Sequence, residues 1–391
     1  MGFTAGRVTF QRFLVRGAKP RAFGPDHLER LREHMRPRVA SASPHQIGWT
    51  AGKHINDTDF TEEKNIYPDH LVWDLWVQTD RLPPERLKWY YEIELKALAE
   101  HNPSGHPSAR QKRAARAAAR EMLEKEASDG RYRRWQLVPC CWDLGTNFVF
   151  LGSGSSSAAD RFCALFEQTF EGGLFQLDKA GPLQVLTAGQ IAINANSAAK
   201  HSMLSTYIPG TTPDDVAWIP AENDVSFLGN EFLLWLWFKG DTGTDTIALG
   251  DDSEATFMLS GGVKLDCPRG QAGNDTMNHE GPARLPEALR ALRSGKLPRK
   301  AGLTIVRHNE QFALHLQAES FTVSACKLPK PTAEKTSARD VITSRLQSTR
   351  DIAETLDLMY RKFLESRLSP QWPMELGDMQ RWLKRPERAT A

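Results

Sequence analysis

Residues 108–120 read Ser-Ala-Arg-Gln-Lys-Arg-Ala-Ala-Arg-Ala-Ala-Ala-Arg, a stretch whose residue types and spacing define one chemistry directly. At about 100° per helical residue, Arg110, Arg113, Arg116 and Arg120 fall within roughly a third of the circumference, with Lys112 just outside it. A cationic stripe of this kind tracks a phosphate backbone, because each cation displaces a condensed counterion and gives affinity without reading bases. Ala114, Ala115, Ala118, Ala119 and Met122 take the opposite face, where small side chains let a second helix approach closely. Glu121, Glu124 and Glu126 come only after the cluster and so neutralise little of it. The plainer reading of the same pattern is a solvated helix face. Two further basic groups favour phosphate binding. Arg131, Arg133 and Arg134 are interleaved with Tyr132 and Trp135 at the foot of the same element, and Lys296, Arg299 and Lys300 flank Pro298 in a compact basic loop.

Other chemistries have weaker anchors. Residues 152–157, Gly-Ser-Gly-Ser-Ser-Ser, sit between a strand and a helix where a phosphate cradle can form. They lack the third glycine of a dinucleotide fingerprint and any Gly-Lys-Ser/Thr, which favours a capped strand-to-helix connection. Asp251, Asp252 and Glu254, or Asp275 with His279 and Glu280, suggest divalent-metal ligands of a nuclease. No His-x-x-x-His or Glu-x-x-His spacing accompanies them, and carboxylates in Gly-rich turns usually serve turn geometry. No serine lies in Gly-x-Ser-x-Gly. The expectation is therefore a binding protein and not an enzyme, with no catalytic residue, metal or cofactor; a nuclease using those carboxylates, or a phage-defence protein, is the competing reading. Trp235 and Trp237 lie in a nearly continuous apolar run, which reads as a buried strand in preference to a base-stacking platform.

The elements that position these groups follow from periodicity. The chain has 391 residues, enough for two or three domains. Its 50 Lys+Arg against 48 Asp+Glu leave a net charge of +2, so the distribution of charge matters more than the total. Five cysteines, odd in number and without a C-x-x-C pair, read as reduced thiols of a cytoplasmic protein. Cys140 and Cys141 are adjacent and point to opposite faces of a strand, which favours packing. Residues 1–14 hold no signal-like apolar run, the stretch 232–238 is far too short for a membrane span, and Gly6 takes the place of the Ser or Thr of a myristoylation signal.

Residues 7–16 read as a strand, Pro25-Asp26 opens a helix, and Gly48-Trp49 to Gly52 reads as a turn. Residues 70–79 form a strand. Residues 85–100 place Leu87, Tyr91, Leu95 and Leu98 on one helical stripe. With the basic helix of 108–128 they predict an antiparallel hairpin projecting from a sheet domain. Residues 135–151 return to strand, and Ser157 with Asp160 suggests a capping box. Short strands and long loops are expected across 184–230, strands at 231–241, 263–268, 302–307 and 312–318, and a short helix at 286–294. After a linker at 327–336, residues 337–366 form one long helix whose stripe is Val341, Leu346, Ile352, Leu356, Met359, Tyr360 and Phe363. The fold class is α+β with mixed or antiparallel sheets and a C-terminal helical region. It divides as 1–82, a basic hairpin at 83–130, 131–230, 231–330, and a helical extension at 331–391.

The order of these features resembles the RdgC family, bacterial recombination-associated proteins that bind DNA. The resemblance runs from the strand at 7–16, the early helix with Leu28 and Leu31, and Gly48-Trp49, through the basic helix, Arg133-Arg134-Trp135, Leu137-Val138-Pro139 and Trp142-Asp143, to a helix at 158–170. It resumes at Leu285-Pro286-Glu287-Ala288-Leu289-Arg290, Ser294-Gly295-Lys296 and Ala301-Gly302-Leu303. It implies a ring-shaped homodimer that encircles double-stranded DNA with little sequence preference, associates with the nucleoid, and limits access of the RecA recombinase. On this resemblance Lys296 matches the lysine of a Gly-Lys turn, and Arg133, Arg134 and Trp135 match a hairpin-base arginine and aromatic. Lys264 and Arg269 stand for the family's basic stretch. Residues 184–230 and the tail after 327 are longer than in typical members. The implied DNA contacts are thus Arg110, Lys112, Arg113, Arg116, Arg120, Arg133, Arg134, Trp135, Arg269, Lys296, Arg299 and Lys300.

Overall fold

The computed structural model describes residues 2–17, 19–37, 45–100, 106–171, 181–195, 217–218, 224–268, 273–278, 286–330 and 337–384. In chain order the elements are β1 Val8–Val15, α1 Pro25–Glu33, β2 His45–Thr50, α2 Glu62–Asn65, β3 Ile66–Tyr67, β4 His70–Asp80, α3 Pro84–Glu100, α4 Ala109–Ala127, β5 Arg133–Asp143, β6 Phe148–Leu151 and α5 Ser156–Phe170. There follow β7 Leu183–Val185, α6 Ala188–Ala195, α7 Leu228–Asp241, β8 Thr246–Ala248, β9 Glu254–Asp266, β10 Asp275–Met277, α8 Pro286–Arg293, β11 Leu297–Arg307, β12 Glu310–Gln317, β13 Val323–Lys327, α9 Ala338–Arg367 and α10 Trp372–Lys384. The fold is α+β with antiparallel ladders and C-terminal helices. Among the described residues no helix is long and apolar enough to cross a membrane. The chain separates into two compact units, one of residues 1–23, 66–72 and 139–391 and the other of 24–65 and 73–138.

In the first unit the strand order is β10-β9-β11-β12-β13-β1-β6-β5, with β7 beside β1 and β8 beside β9. Inward-facing Phe257, Leu259, Leu303, Ile305, Phe312 and Leu314 alternate with exposed or half-buried positions and present one apolar face. On that face lies α7, buried from Leu228 to Phe238. The apolar run at 231–241 is therefore a helix, not the expected strand. A short run without period fits either state. Here the helix that contains the run is 14 residues long, and it is covered by β11 and β9 on one side and by α6, α9 and α10 on the others. Gly229 permits the closest approach, since a Cβ there would overlap the Ala318 carbonyl oxygen.

The polar groups of α7 are satisfied from its neighbours. Asn230 donates to the Pro298 carbonyl and to Glu319 Oε1, both at 2.8 Å, and the Trp235 indole donates to Glu375 Oε1 at 2.9 Å. Glu231 accepts from Arg367 Nε of α9 at 2.8 Å, with both side chains nearly inaccessible. The stripe of α9 buries Leu346, Ile352, Leu356, Met359, Tyr360 and Phe363, as its spacing predicts, while Val341 is only half-buried. Arg12 of β1 holds α9 through both Asp357 oxygens, at 2.6 and 2.8 Å.

Three local expectations change. Helix α5 begins one residue before Ser157, with Ser155 as an N-cap whose side chain makes no capping bond, so Ser157 and Asp160 lie inside the helix. Within 184–230 the described part includes a helix, α6, where strands were expected; residues 196–216 and 219–223 lie outside the described residues. In the second unit Gly48-Trp49 is not a turn but the interior of β2, paired with Trp76 and Leu75 of β4. The missing side chain of Gly48 is needed because the Arg36 backbone crosses there, and Trp49 then packs edge-on to Trp73 at 5.9 Å.

The buried Glu231–Arg367 pair yields a stability prediction. Glu231→Leu leaves Arg367 without its carboxylate and should cost about 3–5 kcal/mol in urea unfolding, whereas the double change to Leu at 231 and 367 should recover most of that loss. Equal losses in the single and double variants would show that the pair is not coupled.

Candidate nucleic-acid interface

The basic helix α4 is started by a capping box. Ser108 Oγ accepts from Gln111 N at 3.3 Å, and Gln111 Oε1 accepts from Ser108 N at 2.8 Å. It packs against α3 in an antiparallel hairpin, in which the first turn of α3 meets the last turn of α4 at Arg86 and Glu126. The buried seam of α4 is Ala115, Ala119, Leu123 and Ala127, which meets the expected face in part: Ala115 and Ala119 are buried as expected and Ala118 is half-buried, but Ala114 and Met122 are exposed. A row at i, i+4 advances by about 40° at each step, so the seam winds around the helix instead of holding one face. On α3, Tyr91, Leu95 and Leu98 are half-buried, while Leu87 is exposed.

The winding seam sorts the cations. Arg110, Lys112 and Arg113 are exposed and make no ion pair among the described residues. Arg116 lies over the Tyr91 ring at 5.5 Å, crossing to the other arm. Arg120 is offset by Glu124, with Nε 2.9 Å from the carboxylate, so the acids after the cluster do reach back into it. That pair is largely exposed and contributes at most about 1 kcal/mol.

At the foot of the hairpin a single carboxylate gathers four partners. Glu126 accepts from Arg86 at 3.0 Å, Tyr90 at 2.9 Å, Tyr132 at 2.9 Å and Arg131 at 3.2 Å. The Arg86 bond foremost, with the two tyrosine hydroxyls, holds its pKa down at about 2 against desolvation. Arg131 is further bound by Asp129 at 2.6 Å. Arg133 is half-buried, but Arg134 is exposed and among the described residues donates only to the Arg133 carbonyl, at 3.3 Å. Beside it Trp135 is 56% exposed, its ring held by an indole bond to Gln78 at 3.1 Å. Glu126 and Tyr132 stood out in the sequence only as a late acid and an interleaved aromatic, and Arg86 and Tyr90 not at all, because nothing in their spacing brings residues 40 apart together. The Ser-x-x-Gln box at Ser108 was a readable signal.

The remaining predicted contacts belong to the first unit. Pro298, Arg299 and Lys300 lie in β11 and not in a loop. Lys296 is engaged by Asp275 at 2.7 Å and by the Gly273 carbonyl at 2.9 Å. Arg299 is engaged by Glu319 at 2.9 Å and Asp266 at 3.2 Å, and it stacks on Trp218 at 4.6 Å. Lys300 is half-buried opposite Lys264 in the ladder, and Lys264 has Asp266 at 3.4 Å. Arg269, His279 and Glu280 lie outside the described residues. Asp251 is held by Arg307 and by Ser253 Oγ, and among the described residues no three His, Cys, Asp or Glu side chains converge as a metal site. In the Gly152 loop the Gly152 amide donates to the Pro139 carbonyl at 2.6 Å. No family model matches the chain, and no curated protein matches it.

The Glu126 knot predicts an acid response. A carboxylate depressed from 4.5 to about 2 contributes stability that is complete above about pH 4.5 and is lost as the pH falls towards about 2. Thermal melts followed by near-UV circular dichroism should show wild type losing more stability over that interval than Glu126→Gln. Parallel curves for the two proteins would remove the knot from the account.

Proposed function

We propose that the chain binds double-stranded DNA without sequence preference through the solvent side of its α3–α4 hairpin. The observation that carries this reading is the set Arg110, Lys112 and Arg113 on α4, with Arg134 of β5 at its foot, exposed cations with no carboxylate partner among the described residues. From Arg110 to Arg120 the helix extends about 15 Å, a length over which duplex DNA carries about nine phosphates. Arg116 and Arg120 can join the contact, since a phosphate competes readily with an exposed carboxylate and an aromatic face. Cations ranged along a helix match phosphates, whose contacts carry affinity without sequence information.

The sequence-wide resemblance to the RdgC family extends the proposal: the protein acts as a homodimer, and by occupying duplex it restricts RecA. Turnover plays no part in this reading. Lys296 and Arg299, having carboxylate partners, are secondary to the hairpin in it.

Four phosphate contacts at about 0.9 each give a slope of about −3.6 for log affinity against log salt. In gel shifts on linear and circular duplexes, Arg110→Ala with Arg113→Ala should weaken every sequence alike and flatten the slope by about 2. A wild-type slope near zero, or binding undiminished in that variant, would overturn the hairpin reading. Light scattering should give twice the 43.9 kDa chain mass, and a monomer would remove the dimeric part alone.

A further inference from the structure

Where the last turn of α10 passes the end of α8, a cavity of about 420 Å³ opens. Leu234 of α7, Leu292 of α8, Leu297 of β11 and Leu383 of α10 supply its apolar wall. Arg293, Lys296 and Lys384 line it as well, and no carboxylate is among the residues that do. The volume falls within the range of small-molecule sites, about 300–1,000 Å³.

The cations differ in how they are held. Arg293 Nε donates to the Leu383 carbonyl at 2.7 Å and so closes the end of α10. Lys296 uses two of its three ammonium donors, on Gly273 O and Asp275. It is not needed to cap α8, because the carbonyls there are already taken: Leu292 O accepts from Gly295 N at 2.9 Å, and Ala291 O accepts from Lys296 N at 3.1 Å. Lys384 is exposed and makes no ion pair among the described residues. One fixed and one movable ammonium therefore stand beside a leucine-lined space.

We propose that this cavity binds an amphiphile with a single anionic head, a carboxylate or a phosphate monoester. Its alkyl chain lies on the four leucines, and its head meets Lys296 and Lys384. Neutral molecules of the same length lack the charge that the two ammonium groups recognise, and a short anion lacks the chain. Apart from Lys296, none of its residues is among the proposed DNA contacts.

Titration calorimetry on the full chain with octanoate, octyl phosphate and octanol tests this. One of the two acids should bind saturably, one per chain, and the tighter identifies the head group; octanol should bind about tenfold more weakly. Gln380→Trp, which places an indole in the cavity from a half-buried position on α10, should abolish binding. Lys384→Glu, at the exposed helix end, should weaken it about fivefold and serves as the readout if the tryptophan variant melts early. Failure of both acids to saturate, octanol binding as tightly as octanoate, or Lys384→Glu binding like wild type would overturn the proposal.

Discussion

A largely apolar helix that is buried around its whole circumference has to be covered on every side, and in the first unit α7 imposes that requirement. The sheet face of β9 and β11 supplies one wall, and α6, α9 and α10 supply the rest. This accounts for a C-terminal region of two helices: without α9 and α10, Phe232, Trp235 and Phe238 would face water. Burial of such side chains contributes about 1.5–3 kcal/mol each, more than the ion pairs around them can add. The charged groups at this interface act chiefly as position markers. Glu231 with Arg367 and Asp357 with Arg12 each join one point on α9 to one point on its support, so α9 has one register in which all of them are met.

Charge is arranged differently in the two units. In the first unit, Lys296 and Arg299 have acidic partners close by, Asp275 for one and Asp266 and Glu319 for the other. In the hairpin, acids are concentrated at the foot, around Arg86 and Arg131, and the cations from Arg110 to Arg113 are left without them. With a net charge of only +2 over the chain, the positive field is a local property of one helix.

Much of this was legible in the sequence where the pattern was long and periodic. Helices α3, α4 and α9 and strand β4 appear within a residue or two of their expected limits, because sustained periods of 3.6 or 2 survive tertiary context. What was misread had no period or depended on distant partners. The 14-residue α7 is apolar without a polar face, and Gly48 looks like a turn unless the crossing Arg36 backbone is known. The same holds for the site. Arg110, Lys112 and Arg113 are exposed as the stripe predicts, but the engagement of Lys296 by Asp275 and of Arg299 by Glu319 depends on residues about 20 apart in sequence. The direction of the α4 seam was missed because four positions are 40° more than one turn, and the error accumulates over Ala115 to Ala127.

The alanine seam of the hairpin has a consequence for motion. Three of its four buried residues on α4 are alanines, and α3 contributes half-buried side chains, so the two arms share little apolar area. Segments with few buried apolar contacts open with free energies well below that of global unfolding. The hairpin is thus a separate cooperative element whose amides exchange with solvent ahead of those in α7, and a polyanion laid along α4 would slow that exchange by holding the arms shut.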